Sequence, residues 1–387
     1  MFSSSLLLFL AFIYPSFGKP AANPTLTYST WMMNSIISRN QGISNSGAST
    51  GQIELGVFQS ALRQAIENSA TTYTGQNLEG HQLFIQKWRE YLATSTQNSI
   101  SSLINASQDS TYPLDRFSIG NALLYQYRDN NNGDSNTTAE INAIQALRTS
   151  TDYQTRNYLG GFWYFHAYPQ WSYNDGMFSL APWYTHYTLS FEAENTTSAV
   201  NDVVKQFDLL WEHCYQNRSG LLVHGYDASK EAIWANPITG ASPYVWGRSL
   251  AWYFTGMVET LEILSSSSVT RVDLILKFQA LAAAIMRAAD PQTGAWWQIV
   301  DEGGRQENFL ESSATALFTY SLLKGVRLGF LDENITADTS MSPVKVGIRA
   351  YEYMQRTFVV VNSNATLSWN GTVTVCSLNS TASYEVH

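Results

Sequence analysis

Apolar residues recur at spacings of three and four along most of the chain, and this spacing predicts α-helices. The polar segments between them are rich in Gly, Asn, Ser and Pro, as in "RDNNNGDSNTT" and "ANPITGASP", and predict loops. β-type alternation is visible only in "TFVVVNSNATLSWNGTVTV" near the C-terminus. The predicted helices contain residues 31–39, 57–67, 83–92, 117–127, 140–148, 177–189, 200–215, 246–264, 274–289, 311–329 and 344–355.

No polar linker is long enough to separate two domains, so residues 19–387 are predicted to form a single all-α domain. A helical solenoid and a closed ring of helical hairpins both fit this pattern. Three connections are long, aromatic and glycine-containing: "NYLGGFWYFHAYPQWSYND", "GLLVHGYDASKEAIWANPITGASPYVWGR" and "PQTGAWWQIVDEGGRQENFLE". We expect these loops to face a common site on one rim of the domain.

The N-terminus reads as a secretory signal peptide, residues 1–18. An apolar run at 6–14 is followed by Pro15 and by the small residues Ser16 and Gly18. N-glycosylation sequons follow it, and together these features predict a secreted, extracellular glycoprotein. The sequons begin at Asn105, Asn136, Asn195, Asn217, Asn334, Asn364, Asn370 and Asn379.

Composition narrows the class of function. Of the 387 residues, 14% are charged and 13% are aromatic, which suits a large aromatic core together with a ring-lined groove. A net charge of −9 argues against a nucleic-acid partner, and no apolar stretch after the N-terminus is long enough to span a membrane. No CxxC or HExxH spacing occurs, so no metal or other cofactor is predicted. Pairing of Cys214 with Cys376 stays open, and the sequence indicates no oligomeric state.

The first candidate for chemistry is Asp175, in "WSYNDGMFSLAPW". An Asp before a predicted helix is most simply an N-cap. Its neighbours Trp171, Tyr173 and Phe178 are aromatic, however, and a carboxyl among rings loses hydration, which favours the protonated form. That is the form a general acid needs. These residues alone therefore leave two interpretations of Asp175 open, a helix cap and a general acid, and the cap is the simpler one.

Two further motifs carry candidate binding residues. His224 precedes Gly225 in "GLLVHGYD", where a glycine lets the chain approach a ligand closely; the simpler interpretation is an exposed turn. In "WGRSLAWY", Arg248 and Trp252 are four residues apart and share a helix face. A guanidinium beside an indole suits a sugar, although Trp252 in the core and Arg248 in a surface ion pair would explain the same spacing.

Asp115, in "PLDRFSIGNALLYQY", also precedes a predicted helix. An N-cap is again the simple interpretation, but Asp115 and Asp175 would face each other if both helix starts lie on one rim. Most glycosidases use two carboxyl groups to cleave a glycosidic bond. The residues alone thus predict a secreted all-α protein that acts on carbohydrate.

The sequence resembles glycoside hydrolase family 105, the unsaturated rhamnogalacturonyl hydrolases, and more distantly the unsaturated glucuronyl hydrolases. The resemblance covers roughly residues 28–378 and is carried by "YPQWSYNDGMFSLAPW", "GLLVHGYD", "WGRSLAWY" and "ENFLESSATALFTYSLLKGVRLGFL". It implies a ring of six helical hairpins, the (α/α)₆ barrel. It also implies an unsaturated acidic oligosaccharide as the substrate.

The implied reaction is the hydration of a C4=C5 double bond in a terminal uronic acid. An acid protonates C4, water adds at C5, and the resulting hemiketal collapses to release the neighbouring sugar, expected to be rhamnose. By resemblance, Asp175 is the proton donor and the base that activates water, and Asp115 holds sugar hydroxyls and assists. The residues matched to the sugar subsites are His224, Arg248, Trp252, His166 and Trp171.

The chain departs from the family pattern in two places. Asn174 stands before the catalytic Asp, where an apolar residue is expected, so we expect altered packing of Asp175. The family pattern also continues past "TVTVCSLNSTASYEV", and the last hairpin is therefore expected to be incomplete.

Three other functions compete with this interpretation. Another secreted (α/α)₆ glycosidase, such as an endo-mannanase, would need two carboxylates flanking an anomeric carbon. A catalytically impaired sugar-binding protein would bind unsaturated disaccharide without turnover. A polysaccharide lyase on a similar toroid would form the double bond rather than consume it.

Overall fold

The computed structural model describes residues 27–48, 50–72, 78–130, 138–265, 269–334 and 341–373. The predicted signal peptide, Cys376 and the sequons at Asn136 and Asn379 lie outside these ranges. Among the described helices, none is both long and apolar enough to cross a membrane.

The helices confirm the periodicity of the sequence, and each predicted segment lies on a helix. Their bounds are α1 Tyr28–Ser38, α2 Gly51–Thr72, α3 Leu78–Ser99, α4 Ala106–Asp109, α5 Phe117–Asn130, α6 Thr138–Tyr153, α7 Gly176–Phe191, α8 Thr196–Cys214, α9 Gly247–Ile263, α10 Val269–Arg287, α11 Ser312–Arg327 and α12 Pro343–Thr357.

Four short strands form two antiparallel pairs. Strand β1, Trp171–Tyr173, pairs with β2, Gly225–Asp227, and strand β3, Val359–Val361, pairs with β4, Leu367–Trp369. The second pair lies where the sequence showed β alternation. The first pair was not predicted, because its two strands lie in different loops with α7 and α8 between them, whereas β3 and β4 are close together in the chain.

The helices are arranged as a ring of hairpins. Helices α2, α5, α7, α9 and α11 pack against one another in that order, while α3, α6, α8 and α10 pack on the outside of this inner row. Nε2 of Gln64 on α2 donates to the Tyr320 hydroxyl on α11 at 3.0 Å, so the first and last helices of the row are in contact. The predicted all-α ring is confirmed.

Close packing inside the row depends on small residues. At Gly256 of α9, an added Cβ would lie 2.6 Å from the carbonyl oxygen of Met177 on α7, a distance that atoms do not tolerate. Backbone contact at this point fixes α9 against α7 near the start of α7. One buried apolar cluster runs from Trp31 to Trp369 and joins the inner and outer helices into a common core.

Candidate active site

The candidate residues meet where the inner helices begin. Asp115 lies in the helical turn Leu114–Arg116 that leads into α5, and Asp175 immediately precedes α7. Arg248 lies in the first turn of α9. Helix N-termini carry partial positive charge, so this end of the ring suits carboxylates and anionic ligands.

The β1–β2 pair places His224 beside Asp175. Tyr173 pairs with Gly225 across the two strands, so the residues just beyond them, Asn174 and His224, become neighbours. Asn174 secures this junction: its backbone N–H donates to the His224 carbonyl at 3.1 Å, and its Nδ2 donates to the Val223 carbonyl at 2.7 Å. The polar residue that departs from the family pattern thus ties the Asp175 loop to the His224 loop.

Asp175 has two close polar partners. The Ser249 hydroxyl donates to Oδ2 of Asp175, and Nε2 of His224 lies 3.2 Å from the same oxygen. Nε2 of His224 is buried, and Asp175 is its only close polar partner in the described part of the chain. The Asp175 side chain makes no capping hydrogen bond to α7, so the simple N-cap interpretation is wrong.

The protonation state expected for Asp175 is also wrong. Burial raises the pKa of Asp175, but the His224 ring, the Ser249 hydroxyl and the Arg248 guanidinium together outweigh burial and hold the pKa below its usual value. The surrounding rings remove water, as expected from the sequence. The polar groups supplied by other loops decide the outcome, and the carboxyl is ionised in the free protein.

Asp115 shows the opposite behaviour. Burial raises its pKa to about 7, against a hydrogen bond from Tyr164 that lowers it, and the nearby negative charge of Asp175 raises it further. The Tyr164 hydroxyl lies 2.9 and 3.0 Å from the two carboxyl oxygens of Asp115. At weakly acid pH the site therefore holds one neutral and one ionised carboxyl.

Arg248 and Trp252 are both buried. The guanidinium of Arg248 donates to the Val373 carbonyl at 2.8 Å and acts electrostatically on Asp175, so a surface ion pair is excluded. The Trp252 ring is only 2% exposed and packs against Phe178 at a centroid distance of 4.6 Å. This position does not support the predicted sugar stacking on Trp252, because its ring faces the core.

More accessible rings lie on the neighbouring loops. Trp171 is half-buried, stacks with Tyr168 at 5.1 Å and meets the edge of Trp234 at 5.0 Å. His166 is exposed and lies 6.1 Å from the Trp163 ring. Trp171 and His166 therefore lie on the rim, farther out than the two carboxyls.

Sequence reasoning missed Ser249 and Tyr164, which contact the two carboxyls directly. Ser249 lies inside the quoted motif "WGRSLAWY", next to Arg248, but its partner Asp175 is 74 positions away in the chain. Tyr164 is 49 positions from Asp115. With them, the site can hold a proton on one carboxyl and a negative charge on the other, which is what acid–base chemistry on a sugar requires.

A family model described as Glycosyl Hydrolase Family 88 matches residues 71–384. Among curated proteins, Protein Atu3128 of Agrobacterium fabrum is 39% identical over 132 residues, covering 34% of this chain and 55% of that protein. The chain thus spans about half the length of this relative.

Solved structures share the fold. A family 105 glycoside hydrolase from C. acetobutylicum has 25% identity and a TM-score of 0.74, with 90% of this chain and 88% of that chain covered. An unsaturated glucuronyl hydrolase from Bacillus sp. GL1, described as responsible for the degradation of glycosaminoglycan, has 12% identity and a TM-score of 0.55, with 95% and 87% covered. These neighbours have the six-hairpin glycosidase fold, as the sequence predicted.

Proposed function

The chain belongs to Glycosyl Hydrolase Family 88, and we propose that it is a glycosidase that removes a Δ4,5-unsaturated galacturonyl residue from the non-reducing end of lyase-generated rhamnogalacturonan or pectin oligosaccharides. One observation carries this proposal: two buried carboxyls with oppositely shifted pKa values lie at one end of the ring, beside Arg248. A buried guanidinium near the pair provides a counter-charge for a uronate.

The proposed reaction is a hydration followed by collapse of a hemiketal. C4 of the unsaturated uronate takes a proton, and water adds to C5 while losing a proton to the site. The C5 hemiketal then opens, and the neighbouring sugar leaves with a proton on its oxygen. The site gives one proton to C4 and receives one from water, so the two carboxyls return to their starting protonation states.

The two carboxyls divide this work. Asp175 is ionised in the free protein. It takes up a proton from solvent when the anionic uronate binds beside it, because a nearby negative charge raises the pKa of a carboxyl. Asp175 then donates that proton to C4 and receives one from the attacking water. Asp115 stays neutral at weakly acid pH, holds the proton of the pair and hydrogen-bonds sugar hydroxyls. His224 and Arg248 bind the uronate, while Trp171 and His166 line the outer part of the path.

The test is the ultraviolet absorbance of the C4=C5 double bond in an unsaturated rhamnogalacturonan disaccharide. The enzyme should remove this absorbance, and a saturated disaccharide should stay intact. Equal cleavage of saturated oligosaccharide would overturn the proposal in favour of an ordinary glycosidase, and a rise in absorbance would identify a lyase. Unsaturated glucuronyl disaccharides in the same assay test the preference for galacturonyl.

Two variants test the division of roles. Asp175→Asn should lower kcat by about 10²–10⁴-fold, because the proton-exchanging group is lost. Asp115→Asn should lower kcat much less, since an amide has the shape and the charge of a carboxyl that stays neutral. Equal loss in both variants would assign the donated proton to Asp115 instead.

We further propose that the protein is secreted and glycosylated. All six sequon asparagines within the described ranges are exposed, namely Asn105, Asn195, Asn217, Asn334, Asn364 and Asn370. Protein expressed in a eukaryotic secretory host should lose apparent mass on treatment with an N-glycan-cleaving amidase. Unchanged mobility would contradict this part of the proposal.

A further inference from the structure

A second cavity lies at the opposite end of the ring from Asp115 and Asp175. It has a volume of about 730 Å³, within the range of small-molecule sites. The C-terminal turns of α5, α7 and α9 form its wall, so the same helices that present the candidate active site at their N-termini build this cavity at their far ends. Its lining includes Tyr125, Tyr127, Arg128, His186, Phe191 and Glu262.

His186 lies in the cavity lining, and its ring is buried and neutral. His186 is 3% exposed, and Nη1 of Arg128 lies 2.9 Å from its Nε2. Because a guanidinium can only donate, Nε2 accepts and Nδ1 carries the hydrogen of the neutral ring. Burial, together with the charges of Arg128 and Arg63, lowers the pKa of His186 to about 4, so the ring stays neutral at higher pH. Nδ1 has no hydrogen-bond partner within the described residues.

Arg128 differs from the neighbouring cationic side chains, which lie close to carboxylates. Arg63 pairs with Glu67 at 2.7 Å, and Lys324 pairs with Glu259 and Glu262 at 2.6 and 2.7 Å. Arg327 lies 3.6 Å from Glu262. Arg128, in contrast, contacts the neutral His186 and has no carboxylate partner among the described side chains.

The other groups around the cavity indicate that its ligand has hydroxyl groups and an apolar face in addition to a negative charge. Helix C-termini carry partial negative charge, so a simple anion is held only through direct contact with the guanidinium. The carbonyls of the last helical turn lack partners within the helix and can accept hydrogen bonds from hydroxyl groups. Tyr127 and Phe191, whose centroids are 5.5 Å apart, add a ring-shaped apolar surface.

We propose that this cavity binds a sugar acid. Its carboxylate contacts the Arg128 guanidinium, its hydroxyls donate to the helix carbonyls, and its ring lies against Tyr127 and Phe191. The site is separate from the candidate active site, and the proposal does not depend on which bond the enzyme cleaves.

Titration calorimetry with D-galacturonate, and with D-galactose as the neutral match, tests the proposal on the full chain. Wild type should show a galacturonate-binding component that D-galactose lacks. Arg128→Gln should weaken this component about tenfold or more, since a charge-assisted contact is lost. Turnover by Arg128→Gln should remain at the wild-type level, which separates this cavity from any binding of galacturonate beside Arg248.

Arg327→Gln is the matched control, because Arg327 lies near the same helix ends but already faces Glu262. This variant should bind galacturonate as wild type does. The proposal is overturned if wild type shows no such component, if D-galactose binds equally, if Arg128→Gln leaves the component intact, or if Arg327→Gln weakens it to the same degree.

Discussion

Asp175 owes its ionisation to side chains that are remote in sequence. The rings beside it in "WSYNDGMFSLAPW" predict a protonated acid, and the structure reverses this because Ser249 and His224 approach from two other loops. Local sequence shows that a carboxyl is dehydrated. It does not show which donors the fold brings to that carboxyl, and those donors determine the sign of the pKa shift.

The Ser249 hydroxyl should be a measurable part of this effect. Ser249→Ala removes a donor that favours the charged carboxyl, so the pKa of Asp175 should rise, by about one unit if the contact contributes ~1.5 kcal/mol. The acid limb of the kcat/KM profile should move to higher pH by the same amount.

Ser321→Ala provides the control for this experiment. Its hydroxyl pairs with Thr255 at 2.9 Å on the inner helices, and Asp175 is not its partner. The control should leave the acid limb in place. An unshifted limb in Ser249→Ala, with the control also unshifted, would show that Ser249 does not hold Asp175 ionised.

At the scale of elements, sequence was informative about helices and poor about contacts between them. Apolar periodicity located the helices because each buries a continuous stripe. The pairing of β1 with β2, which joins the His224 loop to the Asp175 loop, was not predictable because α7 and α8 separate the two strands in the chain. The spacing of Arg248 and Trp252 allowed Trp252 to lie either in a sugar site or in the core, and its burial places it in the core.

Helix spacing near Asp175 depends on Gly256. Gly256→Ala places a methyl against the backbone carbonyl of Met177, two residues after Asp175, so α9 and α7 must separate. We expect a loss of unfolding free energy of about 1–3 kcal/mol, reduced by the better helix propensity of Ala. We also expect lower kcat, because Asp175 moves relative to Ser249.

Gly347→Ala on α12 is the matched substitution. Its methyl would meet Cδ2 and Cγ of Leu323, both at 2.8 Å, so the contact is with a side chain and not with the backbone. This variant should lose less stability than Gly256→Ala, because a side chain can shift more easily than a backbone carbonyl, and it should keep full activity. If both variants lose stability equally, the backbone contact at Gly256 is not what sets the spacing.

At the scale of the whole molecule, the ring concentrates different chemistry at its two ends. Helix N-termini surround the carboxyl pair, and the C-terminal turns surround Arg128 and His186. The free energy of unfolding should depend on pH through Asp115, because burial shifts the pKa of this residue to about 7 from an ordinary value of 3.8. Sites arranged for function commonly cost stability in this way.

Asp115→Asn should reveal that cost through its dependence on pH. Between about pH 4 and pH 7 the folded protein holds a proton on Asp115 that the unfolded chain releases, so this residue contributes less stability as pH rises. Asn cannot ionise, and the melting temperature of the variant should therefore rise relative to wild type across this range and level off above about pH 7. Asp109, whose pKa is raised to about 6, and His186, whose pKa is lowered to about 4, are present in both proteins, so their effects cancel in the difference between the two melting temperatures.

The exposed Asp152→Asn variant is the control and should show no such rise in melting temperature. If the difference in melting temperature between Asp115→Asn and wild type stays constant with pH, Asp115 is not buried as a neutral acid.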